Sequence, residues 1–325
     1  MAEGEAQEGV MDRDPNELSA RVRSIMQNSG AKKINDEEYL STRLNYKILR
    51  DQKIGGGKFG TYYKAKNANG EEMAVKVGTI ASLELKRKKA LEKSVNILRY
   101  IADQPWDNIT KVVDIFMTKE KIYIFCEPLV GDLEAYCKKK KSSEDEMKPW
   151  VMNVLAAMSY MYESGIGHRT LTPANMALTD GKVVKLTGFT YSMLTWHPDN
   201  MQPILAEKEK DYHHHYAPEV IKGEYDAHAA DVWALGVAMV NLLTKKHAFD
   251  NKTKDHNQVL KSHLRRSDAK ISEELECFLG RCLSKDVSDR GSINDLLSHH
   301  WVTGEAEAGA QKSATGAEET KSAPQ

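Results

Sequence analysis

The side chains best placed to do chemistry in this chain fall in a few short stretches. Ile54-Gly55-Gly56-Gly57-Lys58-Phe59-Gly60 spaces the glycines Gly55, Gly57 and Gly60, and Met73-Ala74-Val75-Lys76 follows with a single lysine. Glycine at such positions lets backbone amides approach phosphate groups that a side chain would hold off. Farther along come His168-Arg169-Thr170-Leu171-Thr172-Pro173-Ala174-Asn175 and Lys185-Leu186-Thr187-Gly188-Phe189-Thr190, which offer hydroxyls, one carboxamide and no carboxylate. A threonine hydroxyl has too high a pKa to serve as a general base, and Gly188 has no side chain with which to hold a metal. His213-His214-His215, with His197 upstream, reads as a solvated or partner-facing loop, because consecutive side chains point apart and no pair of ligands sits at i, i+4.

In order and spacing these stretches resemble the motifs of the protein kinase family, over roughly Tyr46 to Trp301. The glycine stretch resembles the kinase glycine-rich loop, and Met73–Lys76 the third-strand V-A-I-K. That resemblance implies that Lys76 reaches the α- and β-phosphates of a nucleotide. Phe125-Cys126-Glu127-Pro128-Leu129 resembles the connector between the lobes, which implies adenine contacts from the Glu127 carbonyl and the Leu129 amide. The two later stretches resemble HRDLKPEN and K-L-x-D-F-G with the reactive residues replaced. Thr170 stands at the catalytic-base Asp, Thr172 at the Lys that steadies the transferring phosphate, and Gly188 at the Asp that holds magnesium; Asn175 is kept.

Other positions depart in the same direction. Ser94 stands where the E-x-x-I-L pattern, set on Ile97-Leu98, has the Glu that pairs with the lysine. Glu92 lies about 200° round the helix from the needed position. Tyr212 replaces the Thr of G-T-x-x-Y-x-A-P-E. Tyr62 falls where a Val roofs the adenine and Ala177 where a larger residue floors it, so that Tyr62 is expected to fill part of the pocket itself. The framing residues stay. Tyr216-Ala217-Pro218-Glu219 matches A-P-E, with Arg290 placed to pair with Glu219, and Asp231-Val232-Trp233-Ala234-Leu235-Gly236 matches D-x-W-S-x-G, whose Asp braces the catalytic loop. Leu98, Val112, His168 and Phe189 occupy the apolar column that joins the lobes. Arg169, without an acidic neighbour in its own loop, is expected to bind an anionic group on the 188–219 segment.

The resemblance therefore implies an α+β, bilobal fold that has lost its chemistry: a pseudokinase acting as a protein-binding scaffold or allosteric regulator, with an active kinase, a substrate or a scaffold as its protein partner. No cofactor is required on this reading, and ATP binds at most weakly and without metal. The alternatives are a residual Ser/Thr kinase and a nucleotide sensor. Gly131-Asp132-Leu133-Glu134 and Leu297-Ser298-His299-His300-Trp301 resemble the calmodulin-kinase-related branch, with some similarity to testis-specific serine/threonine kinases.

The elements that must position these residues are legible as changes of pattern. Short β-rich runs, 46–54, 61–65, 73–77, 111–116 and 122–125, are interrupted by one helical stretch at 81–101. After Glu127 the chain reads as mostly helical, giving an N-lobe over 46–127 and a C-lobe over 130–302. Ahead of them, 14–45 forms an extension with an amphipathic helix. Asp14 caps it, Pro15 opens it, Gly30 ends it, and Leu18, Val22, Ile25 and Met26 share a face. The tail 303–325 lacks large apolar residues and, like the acidic residues 1–13, is expected to be disordered.

Composition limits the function further. A formal net charge of -1 over 325 residues argues against a nucleic-acid partner. With no run of 18 apolar residues and no apolar signal segment, the expectation is a cytoplasmic protein without membrane contact. Four irregularly spaced cysteines suggest neither zinc nor disulfides, and Cys277 and Cys282 are expected to be buried thiols.

Overall fold

The computed structural model describes residues 13–28, 30–57, 60–210, 213–247, 249, 253, 255–266 and 270–304. The extension comprises α1 (Pro15–Gln27), β1 (Lys32–Lys33) and α2 (Glu38–Thr42). The N-lobe adds β2 (Lys47–Gly57), β3 (Gly60–Lys66), β4 (Glu72–Thr79), α3 (Leu85–Asp103), β5 (Val112–Met117) and β6 (Lys121–Cys126). Beyond the connector follow β7 (Gly131–Asp132), α4 (Leu133–Lys139), α5 (Glu144–Glu163), β8 (Ile166–Gly167), β9 (Met176–Leu178) and β10 (Val184–Leu186). The remaining elements are β11 (Met193–Leu194), β12 (Trp196–His197), β13 (Gln202–Pro203), α6 (Ala227–Thr244), α7 (His256–Arg266), α8 (Glu273–Cys282), α9 (Ile293–Ser298) and α10 (His300–Thr303).

The N-lobe is one sheet in the order β1-β5-β6-β4-β3-β2, with α3 packed beside it, and the C-lobe is helical with a short three-stranded sheet, β10-β9-β7, and the pairs β11-β8 and β12-β13. Alternation on the strands puts Ala65, Met73, Val75, Phe116, Tyr123 and Phe125 into one buried cluster. The larger core runs through both lobes, from Val95 and Leu98 on α3 to α5, α6 and α8. At its centre lies α6, whose 18 residues have the length and mean hydropathy (1.3) of a membrane-crossing helix. It is 89% buried, as the core helix of a globular lobe is, and carries Asp231 inward.

The extension departs from the sequence reading in three ways. Asp14 caps α1 through its carboxylate and Pro15 opens it, but the helix ends at Gln27, with Asn28 as the C-cap in extended conformation. Gly30 instead turns the chain, at φ +67, over Asn96 of α3. Met26 is exposed at 55%, whereas Ser19 is fully buried, because the buried face is centred between Leu18, Val22 and Ile25. Beyond the helix, Lys32–Lys33 pairs in parallel with Phe116–Met117, so the extension supplies an edge strand that no motif announces. Among the cysteines, Cys282 is buried but Cys277 is exposed. On α8 the buried stripe is Leu275, Phe278, Leu279 and Cys282, and position 277 lies off it. Residues 1–12 and 305–325 lie outside the described residues, while Arg13 is placed over the Tyr162 ring and α10 runs through Thr303.

Because α1 begins against the C-lobe and the chain then joins the N-lobe sheet, the extension ties the lobes together a second time. Leu18 and Val22 pack on Trp196. The Trp196 indole donates to Ser19 Oγ at 2.9 Å, and Arg23 donates to the Pro198 carbonyl at 2.9 Å. On the other side Arg99 of α3 donates to the Gly30 carbonyl at 3.4 Å.

Candidate nucleotide cleft

Between the lobes, β2 and β3 form the hairpin that carries Gly55, Gly57 and Gly60, with Gly57 opposite Gly60 in register. A Cβ at Gly60 would lie 2.7 Å from the Val77 carbonyl oxygen, and one at Gly55 would lie 2.6 Å from Asp132 Oδ2. Close approach of the hairpin to β4 and to Asp132 of the C-lobe therefore accounts for these two glycines, whatever else they do. Lys58 and Phe59 at its tip lie outside the described residues.

Under the hairpin, Tyr62 projects from β3 into the cleft. It is buried with Ala74, Cys126, Leu129 and Ala177, and Ile54 packs beside them. Its hydroxyl bonds Thr187 Oγ1 of the C-lobe at 2.6 Å, so one phenol bridges the lobes beneath the glycine hairpin. Burial pushes the phenol's pKa up, which keeps it neutral. Sequence reasoning anticipated the large-for-small exchange of Tyr62 and Ala177 but missed Thr187, whose motif position carries no residue preference.

Lys76 on β4 is paired in register with Tyr62 and lies with Nζ 5.4 Å from the centre of that ring. It is buried, and among the described residues no carboxylate pairs with it. Burial pulls its pKa down to about 8, with the nearby Cys126 thiol opposing weakly. Ser94, at the position of the missing Glu, is fully buried and donates to the Leu91 carbonyl of its own helix at 2.8 Å. A serine so engaged offers the ammonium no counter-charge.

At the connector, Leu129 is buried, and neither the Glu127 carbonyl nor the Leu129 amide bonds to the described residues. The Glu127 side chain turns away from the cleft. Both carboxylate oxygens take Lys185 Nζ, at 2.9 and 2.8 Å, and Oε1 also accepts the Lys111 amide at 2.7 Å. This brace between connector and C-lobe joins two motifs that the sequence presents separately.

In the catalytic loop Asp231 accepts the backbone amides of His168 and Arg169, each at 2.7 Å. Burial raises its pKa to about 7, and the two amides pull the other way. His168 is buried with its pKa lowered to about 4 by burial, its Nε2 lies 2.8 Å from the Thr187 carbonyl, and its ring meets Phe189 edge-on at 4.9 Å. Leu98, Val112 and Phe189 are buried in the same core. Arg290 holds Glu219 with two nitrogens, at 2.6 and 3.2 Å. The framing residues thus meet one another.

The degenerate positions are also filled. Thr170 Oγ1 donates to the Gly188 carbonyl at 3.3 Å, and the Asn175 amide nitrogen donates to the Thr170 carbonyl at 2.7 Å. Thr172 precedes a short turn at Pro173–Asn175, where its carbonyl accepts the Asn175 amide at 2.9 Å. Gly188 adopts φ +86, and a Cβ there would lie 2.2 Å from Asn175 Oδ1. The carboxamide that the family points at a metal here sits in the space a side chain at 188 would need. Tyr212 lies outside the described residues. The neighbouring His213, His214 and His215 line a cavity of about 400 Å³ with His247, Glu134 and Lys138, and the rings of His214 and His247 stack at 4.2 Å.

Comparison with known proteins agrees with this geometry. The protein kinase domain profile matches residues 48–302. The chain belongs to the protein kinase domain family. A probable myosin light chain kinase of Dictyostelium discoideum is 27% identical over 281 residues, covering 83% of this chain and 85% of that protein. The Aurora kinase of Saccharomyces cerevisiae is 28% identical over 77% of this chain and 68% of its own. Mitogen-activated protein kinase kinase kinase 4 of Mus musculus is 26% identical over 80% of this chain, which spans only 16% of that relative. Similarities this even do not single out a branch, so the calmodulin-kinase-related assignment gains nothing from them. What the kinase domain keeps is its frame: sheet, connector, catalytic-loop brace and the Glu219–Arg290 pair.

Proposed function

We propose that this kinase domain is a pseudokinase that works by holding a surface for a protein partner, with phosphoryl transfer lost. One observation carries the reading: Asn175 Oδ1 lies 2.2 Å from where a Cβ of residue 188 would stand. The metal-binding position has no side chain and no room for one while Asn175 stays bonded to Thr170. Loss of a bridging metal removes several kcal/mol of transition-state stabilisation, and loss of the base a further ~10²–10⁴-fold.

Three further features support it. Among the described residues Lys76 has no acid to hold it forward, Tyr62 is buried under the glycine hairpin where the resemblance sets the adenine, and Thr172 brings no positive charge to a transferring phosphate. The partner on this reading is an active kinase or a substrate, and the cytoplasm is the setting that fits a chain of this composition.

A second reading, a metal-independent nucleotide sensor, is favoured by the open Glu127 carbonyl and Leu129 amide at the connector. Purified protein with labelled ATP, with and without Mg²⁺ and Mn²⁺ and beside Lys76→Met, separates the readings. No incorporation above the Lys76→Met control is expected. Incorporation above it establishes a residual Ser/Thr kinase and ends the pseudokinase reading. A thermal shift with ATP alone, without incorporation, selects the sensor.

A further inference from the structure

The cavity of about 400 Å³ beside the histidines has an apolar floor and a basic rim. Leu171, Pro173 and Ala174 of the catalytic loop and Val237 and Ala238 of α6 make the floor. Lys138 near the end of α4 and Lys245 just past the end of α6 stand at the rim. Two contacts gather the helix ends there. The Ser142 amide donates to the Leu242 carbonyl at 3.0 Å, which sets the lysine run 138–141 against the end of α6. Thr244 Oγ1 lies 3.2 Å from both His263 Nε2 of α7 and the Lys246 carbonyl oxygen. Burial first, and then the charges of Lys246 and Arg266, lower the His263 pKa, so both cations stand close to this junction. Lys138 is paired with Glu134 at 3.2 Å and Lys140 with Glu146 at 2.8 Å. Lys245, Lys246 and Arg266 are exposed, and among the described residues no carboxylate pairs with their side chains. In a chain of formal net charge -1, that is a local excess of positive charge beside an apolar hollow.

We propose that this cavity and its rim dock an acidic segment of a partner protein, with one apolar side chain on the floor and carboxylates at Lys245, Lys246 and Arg266. The proposal rests on the reading of the chain as a partner-binding pseudokinase and names the chemistry of the partner. The rim selects acids by charge, and the floor selects a peptide over a bare anion, because only a peptide brings an apolar group with its carboxylates. The chain's own ends suit the site less well. Residues 305–325 carry four glutamates but no large apolar side chain for the floor. Val10 and Met11 lie within ~10 Å of chain from Arg13. Arg13 sits on Tyr162 at the far end of α5, whose 20 residues span ~30 Å, whereas Tyr136 of α4 bonds Glu146 in the first turn of that helix.

The test is fluorescence anisotropy on the full chain without nucleotide, using labelled Glu-Asp-Glu-Leu-Glu-Asp-Glu, its counterpart with glutamine for leucine, and neutral Gln-Asn-Gln-Leu-Gln-Asn-Gln. None carries a hydroxyl, so none can accept phosphate. The first should bind at least about tenfold tighter than either other, and should weaken as NaCl rises from about 50 to about 500 mM. Lys246→Glu with Arg266→Glu should weaken it at least about tenfold, since two rim charges turn from attraction to repulsion. Lys246→Gln with Arg266→Gln should lose less, and stands in if the reversed pair does not fold. Ala174→Leu narrows the floor and should erase the advantage of leucine over glutamine. The proposal is overturned if the neutral peptide binds as well as the acidic one, or if charge reversal leaves affinity within about twofold. It is also overturned if vesicles containing phosphatidylserine displace the peptide and bind more tightly through the same residues. Removal of 305–325 should change little; a gain of about tenfold would make that tail the occupant instead. Peptide binding is read without ATP, so its failure leaves the labelled-ATP result and the pseudokinase reading as they stand.

Discussion

Replacing Lys76 by Met should stabilise the fold at neutral pH, and should do so less as the pH rises. In an ordinary kinase cleft a carboxylate compensates the buried ammonium; here Ser94 stands in that place with its hydroxyl bonded to Leu91. The lysine pKa falls from 10.5 to about 8 through burial. At 1.36 kcal/mol per pKa unit, that drop corresponds to about 3 kcal/mol lost by keeping the charge folded at pH 7. The unfolded chain holds this proton up to about pH 10.5, whereas the folded chain releases it near 8. Between those values folding releases a proton, so wild-type stability climbs relative to the variant; below about 8 the penalty is complete and flat. Methionine has a similar reach and no charge, and it packs against the Tyr62 ring in place of the ammonium.

The assay is thermal and urea unfolding of both proteins at steps from pH 7 to 10.5. At pH 7 Lys76→Met should melt roughly 5 °C higher, given about 2–4 °C per kcal/mol for a domain of this size and partial relaxation around the amine. The gap should shrink above pH 8 and close by about 10.5. An unchanged or lower midpoint at pH 7, or a gap of constant size across the range, would refute the claim that the ammonium is buried without a carboxylate partner among the described residues.

Other substitutions probe the remaining contacts. Tyr62→Val should raise metal-free ATP affinity, measured by calorimetry, while Tyr62→Phe should leave it nearly unchanged and cost about 1 kcal/mol of stability for the lost bond to Thr187; equal affinities for wild type and Tyr62→Val would dismiss the phenol as the occluding group. Gly188→Ala should cost about 2–4 kcal/mol in urea unfolding, from its φ of +86 and the 2.2 Å approach to Asn175. Adding Asn175→Ala should relieve part of that cost, so a strictly additive double mutant would contradict the clash. Val22→Asp places a carboxylate against Trp196 and should release α1, seen as a red-shifted tryptophan emission and faster proteolysis near residues 28–31; unaltered emission would mean that the extension is not held by this face.

Much of the frame was legible, by two routes. Strand alternation and the Asp14 cap follow from local chemistry, whereas the Asp231 brace and the Glu219–Arg290 pair were implied by the resemblance to kinase motifs. Arg169 was also expected to take an anion from the 188–219 segment, though not which one. The misplacements have a common cause. Met26 and Cys277 were assigned to buried faces from hydrophobicity, but a few tens of degrees round a helix decide burial, and only the neighbouring element sets that angle. The parallel pairing of Lys32–Lys33 with β5 was invisible for a related reason, since two lysines on an edge carry no strand pattern of their own.

The sequence by itself determined what this site lacks: Thr170, Thr172, Gly188 and Ser94 are absences of particular chemical groups, and an absent carboxylate is absent in any fold. It also determined the kinase architecture, through motifs whose order along the chain is their order in the lobes. Tertiary structure alone decided what fills the space left over. That Tyr62 reaches Thr187, that Asn175 takes the room beside Gly188, that Lys185 braces Glu127 and that Arg169 closes on Glu209 are contacts across 125, 13, 58 and 40 residues of chain. Nothing in local propensity encodes such pairs, because each forms only once the folded chain has brought residues distant in sequence into contact.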